Sequence, residues 1–155
     1  MPVLVSGDEV VVDSPVILRW IDDRFPEPPL WPPTEPERSE ADVFVEWFNG
    51  VWKRPPNELA AELERDEPDA AVVAALGSRL AGLTDVFEGL LADRDYLLGA
   101  FGIADVVAYP FLRYAVDRDP TDAELFHQVL RDHVTTNGRP RFAAWLERMS
   151  NLPYA

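Results

Sequence analysis

The apolar residues at the start of the chain lie in two short β-branched runs. The runs are Val-Leu-Val at residues 3–5 and Val-Val-Val at residues 10–12, and residues 6–9 between them include a glycine. This spacing predicts an antiparallel hairpin with a glycine-containing turn.

A helix is expected directly after this hairpin. Ser14 is a natural N-cap and Pro15 fits the first helical position. Apolar residues then recur at helical spacing, which predicts a helix to about Arg24. In residues 26–36, six of eleven positions are proline. Because proline fixes φ and lacks an N–H donor, this segment is predicted to be a stiff, extended linker at a domain boundary.

Beyond the linker the pattern is helical throughout. Apolar residues in 44–52 follow i, i+3, i+4, i+7 and i+8, and the prolines within 54–57 are expected to kink or break that helix. Further helical patterns cover residues 72–91, 103–114, 125–134 and 142–149. The predicted fold is therefore mainly α, with units at residues 1–25 (β-β-α), 26–40 (the proline-rich linker) and 41–155 (all-α).

Composition narrows the classes of partner. The net charge is −14, from 14 Lys and Arg against 28 Asp and Glu. This balance argues against nucleic acid and against an anionic membrane surface as partners, because proteins bind both of them through positively charged surfaces. The chain has no cysteine, which excludes a thiolate nucleophile within it. No basic leader or long apolar run was identified, so we expect a cytoplasmic protein.

Four segments resemble, in this order, segments of the cytosolic glutathione S-transferase family. They are MPVLV (1–5), VVVDSPVILRWIDDRFP (10–26), YLLGAFGIADVVAYPFL (96–112) and RPRFAAWLERMSNLPYA (139–155). In that family a thioredoxin-like domain precedes an all-helical domain. The resemblance therefore implies a partial thioredoxin-like domain at residues 1–25, followed by the family's all-helical C-terminal domain.

The chain departs from the family pattern at two places. Family members carry a β-α-β unit of about 30 or more residues before this point, with the Tyr, Ser or Cys that stabilises the glutathione thiolate. We therefore expect a chain shortened at its N-terminus, through gene annotation, cloning or evolution, and assign no catalytic residue. Gly102 stands where the family prefers Ser or Thr as N-cap, a change expected to cost a few tenths of a kcal/mol.

Candidate glutathione-binding residues lie in the first two segments. By itself, Asp13-Ser14-Pro15 is either a plain helix cap or an anion site at a helix N-terminus. The resemblance implies that Ser14 holds the γ-glutamyl carboxylate and that Asp13 faces the ammonium group. It also implies that the backbone at Met1 and Pro2 pairs with the cysteinyl part of glutathione; otherwise Pro2 belongs to a frayed terminus.

Residues for the acceptor are less sharply defined. Trp52 and Tyr114 are candidates for an apolar acceptor pocket between the units, although aromatic residues at helical spacing are usually core. Lys53 and Arg54 either meet a carboxylate or lie on a solvated kink.

Polar residues of the later helices receive structural interpretations. Asp105, three residues after Gly102, is predicted to satisfy the N-terminal amides of its helix. His127 and His133 are six residues apart and do not share a helix face, so no metal site is expected.

The expected activity is conjugation of glutathione, as co-substrate, to an apolar electrophile. Two alternatives remain open: a non-catalytic binding or interaction protein, and a thiol-dependent isomerase, dehydratase or dehalogenase of the same fold. A homo-oligomer is also expected, because a two-stranded hairpin needs its edges covered.

Overall fold

The first element is an antiparallel hairpin, seen in a computed structural model that describes residues 2–153. It consists of β1 (Val3–Ser6) and β2 (Glu9–Val12), and Val3 pairs with Val12. Gly7 in the turn has φ 60°, a conformation that glycine adopts without steric cost. The predicted hairpin is confirmed.

Helix α1 (Ser14–Arg24) follows the hairpin, but its first turn differs from the prediction. The N-cap is Asp13, whose Oδ1 accepts the Ser14 N–H at 2.9 Å. The predicted N-cap, Ser14, is instead the first helical residue, and Pro15 is the second. The register is one residue earlier than expected because Asp and Ser cap helices about equally well.

The proline-rich linker is anchored at its centre. The carboxylate of Asp22 on α1 accepts the N–H of Leu30 at 2.6 Å and that of Trp31 at 3.3 Å. Trp31 is 3% exposed and its indole N–H donates to Asp42 at 2.9 Å. The carbonyl of Leu30 in turn accepts the N–H of Ile103, at the start of the helical segment that follows residue 102, at 2.8 Å. The linker therefore packs against both α1 and this helical segment, and its residues form bends and a turn without regular secondary structure.

The rest of the described chain is helical. Its α-helices are α2 (Glu37–Trp47), α3 (Arg54–Leu63), α4 (Ala70–Leu90), α5 (Ile103–Leu112), α6 (Leu125–His133) and α7 (Pro140–Ser150). A π-helical turn (Phe48–Trp52) joins α2 to α3, and a 3₁₀ turn (Arg113–Ala115) ends α5. The predicted break is present, with Pro55 and Pro56 in the first turn of α3, where a missing N–H costs least.

An aromatic cluster forms the centre of the helical unit. Phe48 is fully buried and stacks on Trp52, with ring centroids 4.7 Å apart and an interplanar angle of 8°. It also meets Phe44 at 6.1 Å, Phe87 at 6.3 Å and Phe111 at 5.7 Å. These rings bring α2, the π-helical turn, α4 and α5 together.

Helix α4 has 21 residues and, by length and composition alone, could cross a membrane. This long apolar run was not predicted from the sequence. Leu80 and Phe87 of α4 are fully buried, Asp85 pairs with Arg139 at 2.7 Å, and Glu88 accepts the Phe142 N–H at 2.8 Å. These contacts hold α4 against α7 and the segment before it, and the buried residues of α4 are Gly77, Leu80, Thr84 and Phe87.

Asp105 at the start of α5 joins three parts of the helical unit. Its buried carboxylate accepts the N–H groups of Leu97 and Gly102, each at 3.1 Å, and the Trp145 indole N–H at 2.8 Å. Burial raises the pKa of Asp105, while these donors act in the opposite direction. The predicted structural role of this residue is confirmed and extends to α7.

Gly102 is required by its surroundings, which corrects the expectation that it is merely tolerated. A Cβ at this position would lie 2.8 Å from the Leu30 carbonyl oxygen. The linker backbone therefore occupies the space where Ser or Thr would place a side chain.

Candidate functional site

A cavity of about 350 Å³ lies between the start of α1 and the helical unit. One side is formed by Pro2, Ser14, Pro15, Ile17 and Leu18. The other side is formed by Asn49, Lys53, Val106, Val107, Pro110 and Phe111. The cavity therefore has one wall from each of the two predicted units.

A larger groove of about 670 Å³ lies on α2 and α4 and is lined mostly by apolar side chains, among them Val43, Trp47 and Val86. None of the predicted site residues lines it. The smaller cavity is the candidate site, because it combines a helix N-terminus, a hydroxyl and a cation with apolar walls.

The cavity brings together two of the four predicted glutathione-binding residues, Pro2 and Ser14. Asp13 lies beside them: its N–H donates to the Pro2 carbonyl at 3.1 Å and its carboxylate accepts the Ser14 N–H. Met1, the fourth, lies outside the described residues.

The backbone at Asp13 is in an unusual conformation, with φ 80° and ψ 135°. A non-glycine residue at positive φ costs about 1–3 kcal/mol, and such residues cluster at ligand sites. The conformation turns the chain from β2 into α1, whose first N–H groups carry the positive end of the helix dipole. This end of the cavity therefore suits a carboxylate, with an acidic side chain beside it for a cation.

Lys53 supplies positive charge on the opposite wall. Its half-buried ammonium donates to Asn49 Oδ1 at 2.6 Å and lies 4.2 Å from the ring centroid of Phe111. Burial lowers the pKa of Lys53, and the negative charge of Asp13 opposes this effect. The neighbouring residue Arg54 lies on the solvated kink: its side chain is 66% exposed and pairs with the Glu58 carboxylate of the same helix at 3.7 Å.

The two predicted acceptor-pocket residues lie elsewhere. Trp52 is fully buried against Phe48, and its indole nitrogen has no hydrogen-bond partner among the described residues. Tyr114 is 9% exposed and stacks on His127 at 4.4 Å. Neither lines the cavity. The aromatic wall residue is Phe111, which helical spacing alone could not distinguish from the core.

An ionisable cluster that sequence spacing did not identify lies at the start of α6. Ligand-type atoms of Asp122, Glu124 and His127 lie within 4.8 Å of one another. Arg131 donates to the Asp122 carboxylate at 3.1 Å, and His127 Nδ1 lies 2.9 Å from the same group. These contacts form an ion-pair network around Asp122.

Comparison with known sequences finds the same family along the chain. A family model described as "Glutathione S-transferase, C-terminal domain" matches residues 70–148. Glutathione S-transferase F10 of Arabidopsis thaliana is 30% identical over 125 residues, which cover 75% of this chain and 58% of that protein. Glutathione S-transferase theta-1 of Rattus norvegicus is 28% identical over 162 residues, covering 96% and 60%. The chain thus spans less than two thirds of these relatives.

Comparison with solved structures finds the same fold. Glutathione S-transferase III in apo form superposes with a TM-score of 0.71 at 28% identity, over 99% of this chain and 68% of that one. A Methylobacterium radiotolerans glutathione S-transferase, solved with glutathione sulfonate, gives 0.74 at 24% identity, over 99% and 68%. A Burkholderia graminis glutathione transferase, solved with two glutathione molecules per subunit, gives 0.75 at 20% identity, over 96% and 60%. The predicted fold, a partial thioredoxin-like unit followed by a helical domain, is confirmed.

Proposed function

The chain belongs to the glutathione S-transferase family, and from this membership we propose that its cavity binds glutathione for conjugation, as co-substrate, to an apolar electrophile. The observation that carries the proposal is the position of Ser14, at the N-terminus of α1 and on the wall of a cavity that also contains Pro2. Solved relatives that hold glutathione or its sulfonate support the choice of thiol. A cytoplasmic location is part of the same proposal.

The γ-glutamyl and cysteinyl parts of glutathione would have partners at the end of the cavity formed by Pro2 and Ser14. The Ser14 hydroxyl, at the positive end of the α1 dipole, would donate to the γ-glutamyl carboxylate. The Asp13 carboxylate would face the ammonium group, and the Pro2 backbone would pair with the cysteinyl part. This orientation directs the sulfur toward the apolar wall formed by Val106, Pro110 and Phe111.

The reaction forms one carbon–sulfur bond. The thiolate attacks the electrophilic carbon of an acceptor held on the apolar wall, and the leaving group departs with the bonding electron pair. Holding both reactants in one cavity makes the step effectively unimolecular. We assign activation of the thiol to no residue of this chain.

Replacing Ser14 with alanine is expected to weaken glutathione binding about 10- to 100-fold, the effect of losing one hydrogen bond to a charged group. Isothermal titration calorimetry measures the change. Because Asp13 is the N-cap, the variant should keep the helical circular dichroism of the wild type.

The matched control is Ser78→Ala, at an exposed position of α4 outside the cavity, which should bind as the wild type does. Equal affinities of the Ser14→Ala variant and the wild type would contradict the proposed site. Tight binding without thioether formation would favour the non-catalytic alternative.

We propose that the protein is a homo-oligomer. The hairpin exposes Val3, Val5, Val10 and Val12 by 58%, 65%, 63% and 39%. Exposed apolar strands of this kind are usually covered by another chain, and a second copy is the partner always present. Light scattering at micromolar concentration is expected to give a mass above that of one chain, and a monodisperse monomer would contradict the proposal.

A further inference from the structure

Lys53 is a cation in an otherwise apolar part of the cavity. Among the described residues that line the cavity, it alone has an ionisable side chain, and the other polar side chains are Ser14 and Asn49. It is also the single lysine of the chain, beside 13 arginines. The cavity therefore contains one positive charge inside a protein whose net charge is −14.

The ammonium group of Lys53 has capacity for a further ligand. Of its three donors, one is used by Asn49 Oδ1 at 2.6 Å, the partner found within residues 2–153. Phe111 at 4.2 Å and Phe48 at 5.5 Å contribute ring faces, which attract the cation but accept no conventional hydrogen bond. The negative charge of Asp13 acts on Lys53 from the other wall.

Partial burial of this charge has a free-energy cost that no ion pair with residues 2–153 offsets. Desolvation lowers the pKa of Lys53 more strongly than Asp13 raises it. An anion bound in the cavity would restore the balance, because an opposite charge nearby favours the charged form.

We propose that Lys53 makes the cavity select acceptors that carry one anionic group, such as a carboxylate, on an apolar body. The anion would sit on the Lys53 ammonium while the apolar body packs on Phe111 and Pro110. Lys53 is thus a specificity-determining residue. For turnover this inference rests on the proposed conjugation, whereas for binding it stands independently.

The binding test uses two ligands of the same shape and different charge. In calorimetric titrations without glutathione, wild-type protein is expected to bind 2-naphthoate about tenfold more tightly than 2-naphthamide, as one ion pair in a partly desolvated site allows. Lys53→Met should bind both ligands alike, and Lys53→Arg should keep much of the preference.

Two controls separate selection from structure. Arg54→Met removes the neighbouring cation, which does not line the cavity, and should keep the wild-type preference. Lys53→Met should be at least as stable to urea as the wild type, because burial of the charge opposes folding. A preference that survives in Lys53→Met, equal binding of both ligands by the wild type, or binding of neither would overturn the inference.

The turnover test uses glutathione with 4-chloro-3-nitrobenzoate and with its amide. In each, the thiolate sulfur bonds to the ring carbon that carries chlorine, and chloride leaves with the electron pair. Because the amide group withdraws more electron density from the ring than the carboxylate does, kcat/KM for each compound is divided by its uncatalysed rate constant with glutathione. This corrected turnover should favour the benzoate in the wild type, and Lys53→Met should remove the difference. Naphthoate preference without turnover of either compound would refute the proposed function alone. Equal corrected turnover with equal naphthoate and naphthamide binding would refute the role of Lys53 alone.

Discussion

Replacing Asp105 with alanine is expected to lower the free energy of unfolding by about 3–5 kcal/mol, because each stranded buried donor costs about 1–3 kcal/mol. The substitution leaves the N–H groups of Leu97 and Gly102 and the indole N–H of Trp145 without their acceptor. It therefore disconnects the start of α5 from the preceding loop and from α7 together. Urea unfolding followed by far-ultraviolet circular dichroism measures the loss.

A second capping carboxylate supplies the control. Asp69 accepts two N–H groups at the start of α4, those of Ala71 at 2.8 Å and Val72 at 3.4 Å, at an exposed position. Asp69→Ala is expected to cost only about 1 kcal/mol. If Asp105→Ala cost no more than Asp69→Ala, the central role of the buried carboxylate would be wrong.

The effect of Asp105 also has a defined pH dependence. Burial raises the pKa of this carboxyl above its unfolded value, so the folded state holds the proton more tightly than the unfolded state does. The stability due to this titration is present at low pH and is lost as pH rises through the raised pKa. The difference between the wild type and Asp105→Ala should therefore shrink from acidic toward neutral pH.

Replacing Phe48 with alanine is expected to cost about 3–5 kcal/mol, the range for deleting a buried aromatic ring. Four aromatic neighbours contact this fully buried ring: Phe44, Trp52, Phe87 and Phe111. Phe48 does not line the cavity, but its ring contacts Phe111 and Lys53, which do. The Phe48→Ala variant should therefore also bind ligands in the cavity more weakly.

Unfolding in urea and titration with 2-naphthoate measure the two effects. Phe101→Ala is the control, since this ring is 38% exposed and contacts the ring of Tyr96. It should lose far less stability and keep ligand affinity. Phe48→Leu should fall between the two. Equal losses in Phe48→Ala and Phe101→Ala would contradict the role of the aromatic cluster.

Elements with local causes could be predicted from the sequence. The hairpin follows from two valine-rich runs around Gly7, and α1 follows from helical spacing after a capping residue. Asp105 was predicted correctly because the capping offset is local. The shift of the N-cap to Asp13 was not predictable, since two adjacent residues could serve equally well.

The cavity depends on contacts that local sequence does not contain. Trp52 and Lys53 are adjacent, yet one lies in the core and the other on the cavity wall. The Lys53 N–H bonds to the Phe48 carbonyl, five residues earlier, at 3.0 Å, so the π-helical turn changes the helical phase that regular spacing assumes. Similarly, the need for glycine at position 102 arises from the backbone of Leu30, which is distant in sequence and adjacent in the fold.

The linker anchorage has a consequence for how the two units can evolve. Leu30 donates its N–H to Asp22 on α1, and its carbonyl accepts the N–H of Ile103 on α5. Residues of α1 line one wall of the cavity, and residues of α5 line the other. The spacing between those walls is thus fixed by the segment that joins them. Exchange of one unit between homologues would preserve the cavity only if Asp22 and Gly102 were inherited together, whereas any residue except proline could make the hydrogen bonds at position 30, which use backbone atoms alone.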